Sequence, residues 1–116
     1  MGPYHLLHER LDIRLDPRED AVVLEVSGAC DLSCHEQLRE RLLAAEALDP
    51  REIVADLTGL TFIDSNGLRV LIGAWNRSRQ AGHRFRVVIA DSGQVPRVIQ
   101  ATGVRQVLPV ATLEHA

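Results

Sequence analysis

The side chains best placed to do chemistry sit in one short turn, Asp64-Ser65-Asn66-Gly67, between an apolar run ending at Ile63 and an amphipathic run beginning at Leu68. A hydroxyl flanked by a carboxylate and an amide at a helix start has two uses. As a cap, the side-chain oxygen of Asp, Ser or Asn accepts a backbone N–H left without a partner there, and Gly67 lets the backbone turn. As an acceptor, the Ser65 hydroxyl takes a phosphoryl group, whose charge of about -1.5 to -2 is favoured by the positive end of the helix dipole. Spacing alone leaves both uses open. The second describes a binding switch and not a folding switch, because the helix survives modification while the surface shown to a partner changes.

Other chemistries lack parts. A nucleophilic Ser65 needs a base, yet no G-x-S-x-G elbow surrounds it. His5, His8, His35, His83 and His115 have no acid partner at a telling spacing. They read as surface residues, and no catalytic residue is assigned. Cys30, Cys34 and His35 form C-x3-C-H, three donors without the second pair that a structural zinc requires. Cys30 reads instead as a small buried hydrophobe and Cys34 as a first-turn helix residue, both as reduced thiols. Neither G-x-x-x-x-G-K-[ST] nor G-x-G-x-x-G occurs, so no nucleotide, cofactor or metal is expected. If Ser65 is phosphorylated, another protein supplies the ATP.

The elements around the turn follow from periodicity. Leu11, Ile13 and Leu15 alternate with polar residues, as do Val22, Leu24 and Val26 over residues 21–27. The turn at 16–20 makes the two strands an antiparallel hairpin at a sheet edge. Gly28 ends the second strand. Ser33-x-x-Glu36 fits a capping box opening a helix over about 34–48, with Leu38, Leu42 and Ala45 inward and Asp49-Pro50 as its stop. Residues 53–57 are apolar nearly throughout, as in a strand covered on both faces, and 58–63 connect it to the central turn. A second helix runs from Ser65 or Asn66 to about Ala81, with Leu68, Leu71, Ile72 and Trp75 on one face and Gly82 after its end. Residues 85–90 form another buried strand, parallel to the last. Asp91-Ser92 caps a third helix containing Pro96 in or near its first turn and ending at Thr102-Gly103. Residues 104–110 add a short strand and 111–115 a helical turn. The expected architecture is α/β, a mixed sheet of four to five strands with helices mainly on one face, in a single domain over 1–116 with its core at about 11–114.

Composition sets the class. The chain has 116 residues, 46% hydrophobic and 25% charged, enough for one real core. The net charge is -3, and all 13 basic residues are arginine, spread among acids. Without a basic block, neither nucleic acid nor an anionic membrane is an expected partner. No apolar run approaches the roughly 20 residues of a membrane span, and the start lacks the pattern of a signal peptide, so a cytoplasmic location is expected.

The block DLTGLTFIDSNGL from Asp56 to Leu68, with Gly28-Ala-Cys-Asp31 upstream and Ala101-Thr-Gly-Val-x-x-Val-Leu downstream, resembles the STAS family, and within it the stand-alone bacterial anti-sigma factor antagonists. The resemblance runs from about Leu11 to Glu114. It implies partner switching: Ser65 is phosphorylated by an anti-sigma factor with serine kinase activity, which supplies Mg-ATP, and a PP2C-type phosphatase reverses this. The unphosphorylated form binds the anti-sigma factor and frees the sigma factor; phosphorylation abolishes binding. Asp31 and Asp64 match the acidic residues beside the acceptor, and Asn66 and Gly67 complete the loop presented to the kinase. Asp31 has a second use, as a cap of the first helix. Ala29-Cys30 replaces the commoner Glu-Leu or Glu-Ile, which bears on which partner is recognised. The same family also implies an alternative, a non-catalytic scaffold subunit of a signalling or lipid-transport complex.

Overall fold

A computed structural model describes residues 10–31 and 34–113 of the chain. Alternation builds the first hairpin: β1 (Asp12–Pro17) pairs antiparallel with β2 (Ala21–Cys30), and Ile13, Val22, Leu24 and Val26 all face the core. Pro17 is tolerated because β1 is an edge strand. Three helices then alternate with strands: α1 (His35–Ala47), β3 (Glu52–Ile63), α2 (Ser65–Ala81), β4 (Arg84–Ala90), α3 (Gln94–Thr102) and β5 (Val110–Leu113).

The sheet order is β1-β2-β3-β4-β5, with every pair after the first parallel. Parallel strands joined through a helix cross over right-handedly, and three such steps in one direction lay all three helices on one face. Burial agrees. Ile53, Ala55 and Leu57 of β3 and Phe85, Val87 and Ile89 of β4 pack against Leu38, Leu42, Leu68, Leu71 and Ile99 of the helices. The opposite face is open and polar, with a groove of about 270 Å³ lined by Asp12, Arg14, Glu25, Ser27, Asp56 and Thr58. The expected cover of β3 on both faces holds at Val54, which is buried on the second face, and fails further along, where Asp56 and Thr58 line the groove. The winding also brings the carboxyl ends of β2, β3 and β4 to one edge of the sheet, where Asp31, Asp64 and Asp91 follow their last residues.

Several boundaries differ from those periodicity suggests. β2 continues through Gly28, which adopts φ 88° at a register shift and lets the chain pass the Arg10 carbonyl. Residues 58–63 are strand, because they keep pairing with β2 as far as Cys30 opposite Ile63. Cys34 lies just before α1 and gives no side-chain cap; Ser33, the expected capping residue, lies outside the described residues. α3 starts at Gln94, so that Gly93 at φ 107°, and not Asp91 or Ser92, occupies the N-cap position. Residues 104–106 form a single 3-10 turn with Val104 buried, and the strand expected there begins instead at Val110, opposite Val87. That strand takes up residues 111–113, where a helical turn was expected; the remainder of that turn lies outside the described residues. No helix among the described residues is long and apolar enough to cross a membrane.

Gly28 and Gly82 both have positive φ, but an added Cβ would strike the Arg10 carbonyl oxygen at Gly28 and meet open space at Gly82. Gly82→Ala should cost only the left-handed strain, about 1–2 kcal/mol, whereas Gly28→Ala should cost roughly 3 kcal/mol or more. Urea denaturation followed by circular dichroism compares the two, and equal losses would show that close approach is irrelevant at Gly28.

Candidate functional site

The site forms where β3 hands the chain to α2. Because Cys30 is the register partner of Ile63, the residues that follow them, Asp31 and Asp64, leave the sheet side by side. β3 outruns β4, whose pairing with it stops at Asp56 opposite Val88. The backbone of Ile63, left without a partner in β4, is taken up by Gln94 at the start of α3: the Ile63 N–H donates to Gln94 Oε1 at 2.9 Å and Gln94 Nε2 donates to the Ile63 carbonyl at 2.9 Å. One side chain thus stands in for a neighbouring strand and clamps the residue before the turn. Lower in β3, the Asp56 carboxylate accepts from the Thr58 backbone N–H at 3.0 Å and from its hydroxyl at 2.7 Å, a structural use of the first residue of the motif.

Asp64 keeps extended backbone angles (φ -105°, ψ -179°), continuing the strand direction, and its Oδ1 accepts from Gly67 N at 2.9 Å. Asp64 is therefore the cap of α2, and Ser65 is its first helical residue. Capping by Ser65 is corrected accordingly. The Ser65 side chain is exposed and, among the described residues, no hydrogen bond occupies its hydroxyl. Asn66 is half-buried beside it. Gly67 has no positive φ; its role is close approach, since a Cβ there would lie 2.7 Å from Ile63 Cγ1 and 3.1 Å from Cys30 Sγ. The absent side chain lets the first turn of α2 sit directly on the ends of β2 and β3.

Two histidines expected at the surface carry acid partners. His35 Nε2 lies 2.9 Å from Asp64 Oδ1 and 3.2 Å from Oδ2, with the two side chains only 18% and 26% exposed. His83 Nε2 lies 2.7 Å from Asp49 Oδ1 at the opposite edge of the sheet. The partners are 29 and 34 residues apart in sequence, so only the strand register brings them together. His35 and Gln94 are the site residues that motif reasoning missed, and neither carries a local signal.

Cys30 is fully buried, and burial, reinforced by the neighbouring Asp64, Cys34 and Asp31, pushes its thiol up to about 12. It is packing material and not a nucleophile. No group of three or more metal-ligating side chains exists among the described residues. The strand register brings Asp31 to the same edge as Asp64, Ser65, Asn66 and Gly67, with an exposed hydroxyl at the head of α2 next in sequence to the Asp64 carboxylate.

Two measurements check this geometry. Asp64→Ala should lose about 1–2 kcal/mol of stability, while Ser65→Ala should stay within about 0.5 kcal/mol of the parent; in a denaturant titration the reverse order would make Ser65 the cap. In a Cys34→Ser background at pH 8, alkylation of Cys30 by iodoacetamide should run at least about 100-fold slower than that of a cysteine peptide, because the thiol is both shielded by burial and held protonated; equal rates would contradict its burial.

The STAS domain profile matches residues 12–116. A relative from Paenibacillus polymyxa, named anti-sigma F factor antagonist, is 26% identical over 103 residues, covering 86% of each chain. Among solved structures, an anti-sigma factor antagonist from Mycobacterium paratuberculosis superposes with a TM-score of 0.80 at 24% identity, over 88% of this chain and 86% of that one. The antagonist SpoIIAA in its unphosphorylated form gives 0.73 at 21% identity over 90% of each chain. SpoIIAA of Bacillus in its phosphorylated form gives 0.65 at 20% identity, over 90% of this chain and 93% of that one. The solved structures share the fold, and the profile spans nearly all of the sequence: the chain belongs to the STAS domain family.

Proposed function

We propose that this chain is an anti-sigma factor antagonist that works by partner switching. Unphosphorylated, it binds a cognate anti-sigma factor that is also a serine kinase and so releases the sigma factor. Phosphorylation at Ser65 abolishes the complex, and a PP2C-type phosphatase restores it. The observation that carries this reading is the division of labour at the head of α2: Asp64 caps the helix and leaves the Ser65 hydroxyl exposed and unengaged. Modification there removes no hydrogen bond from the fold, so its effect falls on the surface.

The electrostatics give the switch its direction. Asp64 precedes the acceptor and Asp31 leaves the neighbouring strand at the same edge, and a phosphoryl group adds about -1.5 to -2 charge to this acidic edge. A partner surface complementary to the hydroxyl and two carboxylates meets a much stronger negative potential after modification, and like-charge or size mismatch then opposes docking. Asp31, Asp64, Ser65 and Asn66 supply the polar contacts of the docking surface, while Gly67, which is buried, supports them from beneath. Phe62, two residues before the turn and 39% exposed, supplies an aromatic anchor. The name of the Paenibacillus relative and the existence of SpoIIAA in both phosphorylation states support the same reading.

Binding of the anti-sigma kinase by calorimetry tests it. Ser65→Ala should bind as tightly as the unphosphorylated parent and, unlike the parent, should keep binding once Mg-ATP is present. Ser65→Asp should bind at least about tenfold more weakly, a loss of about 1.4 kcal/mol. Equal affinities for the parent, Ala and Asp chains would sink the proposal.

A further inference from the structure

We infer that His35 is the positioning residue of the phosphorylated state, an imidazolium that balances the phosphoryl charge on Ser65 through the shared carboxylate of Asp64. The inference rests on reading Ser65 as the phosphoacceptor.

His35 opens α1, and its Nε2 reaches both oxygens of Asp64, at 2.9 and 3.2 Å. Oδ1 of the same carboxylate accepts from Gly67 N at 2.9 Å, so Asp64 is held from two sides and cannot swing away from Ser65. A dianion added to Ser65 therefore faces a fixed negative neighbour. Among the described residues, His35 is the one side chain able to become a cation within hydrogen-bond reach of Asp64. Arginines also lie at this end of the sheet, Arg10 beside Gly28 of β2, Arg69 one helical turn after Ser65 in α2 and Arg97 in α3, but among the described residues no ion pair joins any of them to Asp64. Asp31 at the end of β2 and Asp91 at the end of β4 are acidic, and Glu36 follows His35 in α1. Cys30 and Cys34 are thiols, and the neutral amide of Gln94 at the start of α3 is already engaged with Ile63. An imidazole changes charge near neutral pH, so it can be neutral in one state of the switch and charged in the other. The half-buried setting screens the pair less than bulk water does. Linkage makes the effect reciprocal: the phosphoryl group tightens proton binding at His35, and the imidazolium favours the dianion.

The test uses the full chain with phosphoserine incorporated at position 65 during translation, so that the outcome is independent of whether any kinase modifies Ser65. NMR titration of the histidines should show His35 binding its proton about tenfold more tightly in the phosphorylated chain than in the unmodified one. His83, paired with Asp49 at the opposite edge, should not move and serves as the internal reference. In His35→Gln the amide still donates to Asp64 but takes no proton, and phosphorus NMR should place the phosphoserine titration at higher pH than in the His35 chain. An unmoved His35, a His35 that moves no more than His83, or identical phosphorus titrations in the two chains would overturn the inference.

Discussion

The carboxylate of Asp64 ties three elements together: it ends β3, caps α2 through Gly67 N, and receives His35 from the head of α1. A cap is worth about 1 kcal/mol on an ordinary helix, but here the same atom also sets where the first residue of α2 points. With Asp64 occupied below, Ser65 faces outward. With Gly67 bare, the turn lies against Cys30 and Ile63 without a gap. Gln94 completes the clamp by binding both backbone groups of Ile63. Ser65 thus rides on a well-braced scaffold although its own side chain is held by nothing, which suits the proposed role of a residue offered to a kinase and recognised by a binding surface.

Topology explains why this scaffold lies where it does. One-way winding across the sheet leaves the carboxyl ends of three parallel strands on one edge and all three helices on one face. Open α/β sheets commonly bind at that edge, because turns there can carry varied residues without disturbing the core. In this chain the edge carries an aspartate after each of β2, β3 and β4. A phosphoryl group added at the middle strand enters a field that is already negative. Charge repulsion at the interface, and not loss of structure, is the economical way to read out such a modification.

Much of the fold was legible because its signals are local. Alternation at Ile13, Val22, Leu24 and Val26 and the helical spacing of Leu38, Leu42 and Ala45 each report burial within one element. What was hidden depended on register. The strand character of 58–63 comes from pairing with β2 past a shift at Gly28, which no local pattern in Thr58-Gly59 announces. Asp, Ser and Asn are all good caps, so the choice of Asp64 was decided by its extended backbone, inherited from β3. Gly67 looked like a turn residue because glycine's other use, allowing close approach, has no sequence mark of its own. The His35–Asp64 contact spans 29 residues and exists only because Cys30 pairs with Ile63.

The most direct measurement is site mapping of phosphoryl transfer. The chain is incubated with Mg-ATP and the proposed anti-sigma kinase, and the modified peptide is located by mass spectrometry. One phosphoryl group on Ser65, absent from Ser65→Ala, with the folded state intact by circular dichroism, is the predicted result. Label on another residue, or undiminished label in Ser65→Ala, would contradict the claim that the head of α2 displays a phosphoacceptor.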